Sequence, residues 1–207
     1  IGNKIGKNVS VLIVDHYHRD RVFETNCRRW AEKVVVIDDL ANRSHDADLL
    51  LDQSGGRKIE EYLNLVPTTC EVITGPKYSL LRREFKSMVR TKALNFSARP
   101  LRIFVCMSAT DINNLTPVVL SVISSTVPSA KVDILLSKKA PYLSMVKRIC
   151  KNNQNFLLHA GISNPAEIMV NATLAIGSAG VNLWERCALG IPSIVFIAAE
   201  NQRLNAE

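Results

Sequence analysis

An α/β fold built on parallel sheets is predicted, chiefly from the way short apolar runs end and alternate. Val9–Val14 runs into Asp15, Lys33–Ile37 into Asp38-Asp39, and Ala47–Leu51 into Asp52. Cys70–Thr74 is closed by Gly75-Pro76. Buried parallel strands have this character, with ligand-bearing loops at their C-terminal ends. Residues 20–32 form the crossover helix between the first two strands, and 81–93 form a basic helix. A polar, Pro-containing segment, Asn95–Pro100, is the expected linker. A second alternation follows it. Strands are expected at Leu101–Met107, Val132–Leu136, Phe156–His159, Thr173–Ile176 and Ser193–Ile197. Helices are expected at 112–126, 141–152, 164–170 and 181–189. The pattern implies two Rossmann-like domains, 1–96 and 97–207, with parallel sheets facing across a cleft.

Composition sets the outer bounds. The chain has 207 residues, 47% of them hydrophobic, enough to bury a core. No apolar run approaches the roughly 18–20 residues of a membrane span, and no signal peptide is visible. Five cysteines without a CxxC spacing are expected to be reduced and mostly buried, which fits a cytoplasmic protein. The net charge of +7 is spread along the chain. There are 16 basic against 13 acidic residues before residue 98, and 10 against 6 from there on. Arg82, Arg83, Lys86, Arg90 and Lys92 are the densest basic group. No aromatics interleave with them to stack bases, so a solvated helix face is favoured over a nucleic-acid surface. A mild positive field also suits a small anionic ligand such as a nucleotide.

The strongest local signal is Ile176–Ser193. It is a strand end, a small-residue turn (Ser178-Ala179-Gly180), a helix and a new strand. A helix opening with free amides at Val181 and Asn182 attracts phosphate through its donors and its dipole. Glu185, one turn in, offers a carboxylate to a ribose diol, and Gly190 and Pro192 stop the helix. Asn201 and Gln202 follow the next strand. A plain βα turn is the competing explanation.

Four weaker clusters remain. Asp15-His16-Tyr17-His18 suggests substrate hydrogen bonding or acid–base work, against an alternative in which Asp15 only caps the next helix. His16-x-His18 is a poor metal signal. Ser108–Asn114 lies between a strand and a helix, and Asp111 is either a ligand group or that helix's N-cap. Tyr78 and Arg82, in Gly75–Phe85, either reach the cleft or pack between domains. Asp38-Asp39 and His45-x-Asp-x-Asp48 look like loop chemistry rather than a metal site. No Ser/His/Asp triad or Cys/His pair is visible by spacing.

Taken together, the blocks carry a resemblance. Asp15-His16-Tyr17, IDDLANRSHDADLLLDQ at 37–53, GPKYSLLRREF at 75–85, TDINNLT at 110–116, GSAGVNLWERCALGIPS at 177–193 and Asn201-Gln202 occur in this order. The set resembles the UDP-sugar hydrolases of pseudaminic acid biosynthesis. These in turn resemble spore-coat polysaccharide proteins and, more remotely, the GT-B glycosyltransferase that makes lipid II. The resemblance implies a GT-B fold, no metal or organic cofactor, and removal of UDP from UDP-2,4-diacetamido-2,4,6-trideoxy-β-L-altropyranose. By that likeness Gly180, Val181 and Asn182 hold the diphosphate, Glu185 the ribose, and Asn201 and Gln202 line the UDP-sugar site. Asp15, His16 and Tyr17 face the sugar from the other domain. Two departures stand out. The family's N-terminal Gly-x-Gly-His turn, with its water-activating His, is missing, so the chain looks like part of a longer protein and His16 is the one substitute base within it. Ser108-Ala109 replaces the family's Gly-Gly before Thr-Asp. A glycosyltransferase on the same scaffold, or a UDP-sugar-binding module without catalysis, are the alternatives.

Overall fold

The structure, a computed structural model, describes residues 9–88 and 100–207. The chain divides into one compact unit ending at Leu80 and a second running from Leu81 to Ala206. The expected linker lies outside the described residues except for Pro100, as do Arg90 and Lys92 of the basic group.

The first unit is a four-stranded, all-parallel sheet in the order β1-β2-β3-β4. Its strands are β1 (Val9–Asp15), β2 (Ala31–Ile37), β3 (Leu49–Asp52) and β4 (Glu71–Thr74). Helix α1 (Arg21–Cys27) joins the first two and is shorter than expected, because Ala31 already belongs to β2. Its N-cap is Asp20, whose carboxylate accepts from the amides of Val22 and Phe23; Asp15 does not cap it. Val14, Val34, Val36, Ala47, Leu50 and Tyr62 form the core. At the sheet edge, Val11 and Ile13 are exposed, so β1 is not buried on both faces as its apolar run suggests.

No helix joins β2 to β3. A loop of buried polar groups connects them instead, where the sequence suggested loop chemistry. Asp38 pairs with Arg43 at 2.6 Å, and His45 Nδ1 lies 2.8 Å from Glu24. Burial opposes the Asp38 charge, but the Ala41 amide, Tyr62, Arg43 and His45 outweigh it and lower its pKa. The Tyr62 hydroxyl lies 2.9 Å from Asp38 and 2.8 Å from Asp52, and it is pushed up, first by burial and then by those two carboxylates. Arg57 closes the knot with 2.6 Å bonds to Asp52 and Glu61. Pairing of this kind offsets the cost of burying these charges.

Asp48 ties the same loop to the sheet. It accepts from the Val34 amide at 2.8 Å, from Arg28 at 2.9 Å and from Lys33 at 3.0 Å. Burial works against its charge, yet these partners hold its pKa down to about 2, from 3.8. A depressed carboxylate stabilises the fold above its unfolded pKa and loses that contribution as pH falls through the folded value. Stability is therefore expected to fall by about 2 kcal/mol between pH 4 and pH 2 from this group. Asp48→Asn should flatten that part of a urea-melt series against pH, and an unchanged slope would show the pairing to be idle.

The second unit is a five-stranded, all-parallel sheet in the order β7-β6-β5-β8-β9. Its strands are β5 (Arg102–Cys106), β6 (Lys131–Leu136), β7 (Phe156–Ala160), β8 (Leu174–Ser178) and β9 (Ser193–Phe196). Its helices are α2 (Arg83–Ser87), α3 (Leu115–Thr126), α4 (Leu143–Lys151), α5 (Ala166–Met169), α6 (Val181–Ala188) and α7 (Arg203–Ala206). Alternation along β5 sends Ile103 and Val105 to one core with Val119, Leu120, Ile123 and Val146. Phe104 and Cys106 go to the other core, with Phe85, Met169, Leu189 and Ile191. Helices thus cover both faces, the doubly wound arrangement. Phe85 is fully buried there, so α2 belongs to this unit, ahead of the expected boundary at residue 97. Each unit is thus an α/β arrangement built on a parallel sheet. Among the described residues no helix is long and apolar enough to cross a membrane.

Candidate functional site: a crevice at a strand-order switch

From β5 the chain steps outward to β6 and β7, then returns to the other side of β5 as β8. The strand order therefore reverses between β5 and β8, and open α/β sheets bind ligands at the carboxyl ends of strands at such a point. A cavity of about 450 Å³ lies there, wholly within the second unit. Ser108 and Ala109 border it from beyond β5, Ser178 and Gly180 from β8, and Val181, Asn182 and Glu185 from α6.

The helices that follow the two strands at the switch, α3 after β5 and α6 after β8, differ at their starts. The α3 start is closed by Asp111, whose carboxylate accepts from the amides of Leu115 at 2.9 Å and Thr116 at 2.8 Å. Asp111 is buried, and its φ of 44° places it in the left-handed region that Asp tolerates better than most residues. The N-cap position itself is Asn114, which makes no side-chain bond to the helix, so Asp111 covers the first amides from three residues ahead rather than as the N-cap the sequence offered. Asp111→Ala should lower stability by about 1–2 kcal/mol through loss of that cover, and an unchanged urea midpoint would deny it the role. The α6 start has no such cover. Gly180 is its N-cap and carries no side chain to accept from the first amides. Those amides and the positive end of the helix dipole border the cavity.

Glycine geometry also fixes the turn before α6. A Cβ on Gly177 would lie 2.1 Å from Arg186 Nη1 and 2.4 Å from the Cys106 carbonyl oxygen. Arg186 is fully buried; its Nη2 donates to the Ser178 carbonyl at 2.7 Å, and burial lowers its pKa. The C-terminus of α6 is a Schellman motif. Gly190, at φ 62°, donates to Cys187 and Ile191 donates to Arg186, at 2.9 and 3.0 Å. That stop matches the one read from Gly190 and Pro192.

Glu185 is buried, only 6% exposed as a residue. Its Oε1 accepts from Arg82 Nη2 at 2.8 Å and Nε at 3.2 Å, and its Oε2 from Asn182 Nδ2 at 2.6 Å. The pair i, i+3 on one helix aims both side chains the same way. The structure thus brings together Arg82, Gly180, Val181, Asn182, Glu185 and Gln202 as lining residues. Asn201 lies in the same short turn as Gln202, Glu200–Gln202, and is not a lining residue. Gln202 Oε1 is taken by the Ala198 amide at 3.1 Å. Ser108 Oγ accepts from the Asp111 amide at 2.7 Å, so the side chain that replaces the family glycine is folded onto its own loop. Cys106 also lines the cavity, but burial pushes its thiol up to about 12, which makes it no thiolate nucleophile.

Asp15, His16, Tyr17 and Tyr78 belong to the first unit. Asp15 ends β1 and is exposed, as are His16 and Tyr17. The Tyr17 hydroxyl donates to Asp39 at 3.1 Å. His16 Nδ1 accepts from the His18 amide at 3.1 Å, so the neutral ring carries its proton on Nε2 and donates there. Tyr78 closes a short turn with the Lys77 ammonium 4.8 Å from its ring centre. Among the described residues no cluster of three or more His, Cys, Asp or Glu side chains is arranged to hold a metal ion. All five cysteines are free; Cys27 and Cys106 are buried, while Cys187 is exposed, against expectation.

Three lining regions had no motif to announce them: Leu135–Ser137, Gly161-Ile162 and Pro165. The signal available was positional, since each lies at or just after the carboxyl end of β6 or β7.

No protein-family model matches the chain. It is 31% identical over 171 residues to the UDP-2,4-diacetamido-2,4,6-trideoxy-β-L-altropyranose hydrolase of Campylobacter jejuni, across 82% of this chain and 59% of that protein. The chain spans about half the length of the curated relatives it matches. Among solved structures, it is similar to Acinetobacter baumannii MurG, with a TM-score of 0.55 at 12% identity over 99% of this chain and 57% of that one. The pneumococcal O-GlcNAc transferase GtfA, solved in complex with UDP and GlcNAc, gives a TM-score of 0.54 at 16% identity over 97% of this chain and 44% of that one.

Proposed function

We propose that this chain, a sequence relative of a UDP-sugar hydrolase on a GT-B fold, is a nucleotide-sugar enzyme. Its second unit binds UDP, and water replaces UDP at the anomeric carbon of a diacetamido-trideoxy-hexose. The observation that carries the reading is the uncapped start of α6 beside Glu185, at the point where the strand order reverses. The diphosphate takes the amides of Val181 and Asn182, and Glu185 accepts from the ribose hydroxyls. As the bond between the anomeric carbon and the phosphate oxygen breaks, negative charge grows on the leaving UDP. Fixed amides and a helix dipole stabilise that charge without reorganising. Asp15, His16 and Tyr17 are the sugar-contacting set by the same likeness, with His16 a donor through Nε2 in the arrangement found.

The test is release of UDP from the UDP-diacetamido-trideoxy-altropyranose in water, followed with and without sugar acceptors. Release in water alone is expected. Release only with an acceptor would make the chain a transferase, the reading that its similarity to MurG and the O-GlcNAc transferase favours. UDP binding with no release in either case would leave a binding module.

A further inference from the structure

The Glu185 carboxylate is nearly saturated before any nucleotide arrives. A carboxylate offers about four lone-pair positions. Arg82 uses two, both on Oε1, and Asn182 uses one on Oε2. One position is left. A ribose 2′,3′-diol held by both its hydroxyls needs two. Among the described residues, the guanidinium is also the sole cation lining the cavity, as Glu185 is the sole anion.

Arg82 is able to give way. Its side chain is 46% exposed, whereas that of Glu185 is 9% exposed. It has other places to rest: the Ser163 carbonyl at 3.4 Å, the Glu84 carboxylate at 3.4 Å, and the Phe85 ring, whose centre lies 5.3 Å from the guanidinium carbon. Its longer bond, Nε to Oε1 at 3.2 Å, is the weaker of the two and the first to yield.

Resting on the assignment of Glu185 to the ribose, we infer that Arg82 stands in for one ribose hydroxyl in the empty crevice. Binding of a ribonucleotide is then an exchange in which one guanidinium N–H leaves Oε1 as a sugar hydroxyl arrives. A 2′-deoxyribonucleotide, with one hydroxyl to place, uses the free position and displaces nothing. Arg82 is thus a specificity-determining residue that lowers the preference for ribose over deoxyribose, and its removal raises that preference.

The experiment is calorimetric titration of the full chain with UDP and with 2′-deoxyuridine 5′-diphosphate. The ratio of the two affinities cancels what diphosphate and base contribute equally. Arg82→Met is expected to raise the ratio of UDP to deoxy-UDP affinity roughly three- to tenfold, the worth of one modest net hydrogen bond. Arg82→Lys, which keeps the charge but offers fewer aligned donors, should raise it less. An unchanged or lowered ratio in Arg82→Met, with UDP still bound, overturns the exchange and leaves the nucleotide site standing. Absence of UDP binding in the unsubstituted chain overturns the site and the exchange together.

Discussion

Replacing Gly177 by alanine will lower the stability of the second unit by about 3 kcal/mol, near the top of the range for overpacking. The added Cβ would meet Arg186 Nη1 at 2.1 Å and the Cys106 carbonyl oxygen at 2.4 Å. Neither can step aside cheaply. The carbonyl is backbone of β5, paired with β8 at Cys106 and Gly177 themselves. The guanidinium is fully buried, so it has no solvent to swing into. Gly190→Ala is the control. It has open space around it and suffers only its φ of 62°, so it should cost about 1 kcal/mol. Arg186 supplies a second check. Its Nε and Nη1 have no partner among the described residues. Arg186→Met should therefore remove the nearer obstacle, and in that background Gly177→Ala should cost less, though not nothing, because the carbonyl remains. Urea melts of the unsubstituted chain, the three single variants and the double variant measure this. Equal losses at Gly177 and Gly190 would contradict it.

Glu185→Ala is expected to weaken UDP binding by roughly 1.5–3 kcal/mol, the worth of hydrogen bonds to a charged group. The loss should be specific to the ribose. Affinity for 2′-deoxyuridine 5′-diphosphate should fall less than affinity for UDP, and binding of inorganic pyrophosphate should hardly fall. The substitution also strands Arg82 and Asn182, which both donate to this carboxylate. Stability must therefore be measured alongside affinity, and Glu185→Gln, which retains an acceptor oxygen, separates the two effects. Calorimetric affinity for UDP unchanged in Glu185→Ala would remove the carboxylate from the site.

Much of this was legible in the residues. Asp15 and Asp52 sit where apolar runs stop, at the carboxyl ends of β1 and β3. The small-residue turn Ser178-Ala179-Gly180 was legible, but the position where packing demands glycine is Gly177, one residue ahead of it. Glu185 was visible as a carboxylate one turn into the helix, but the bond it accepts from Asn182 was not. Other features were hidden for physical reasons. The helix-free connection between β2 and β3 is held by buried pairs such as Asp38–Arg43 and Glu24–His45, and tertiary pairs leave no periodicity. The role of Asp111 turned on which amides its oxygens face, a matter of loop geometry. Arg82 was read as a residue that could reach a ligand, but its hold on Glu185 spans 103 positions of sequence. The lining around Ser137 and Ile162 follows from topology alone.

The central claim is that the anionic part of a nucleotide-sugar sits on the open start of α6 and not on the capped start of α3. Amide chemical shifts during a UDP titration test it most directly. The account predicts large, saturable shifts at Val181 and Asn182, with Leu115 and Thr116, already bonded to Asp111, scarcely moving. Shifts centred on Leu115 and Thr116, or none at Val181 and Asn182 at saturating UDP, would contradict it.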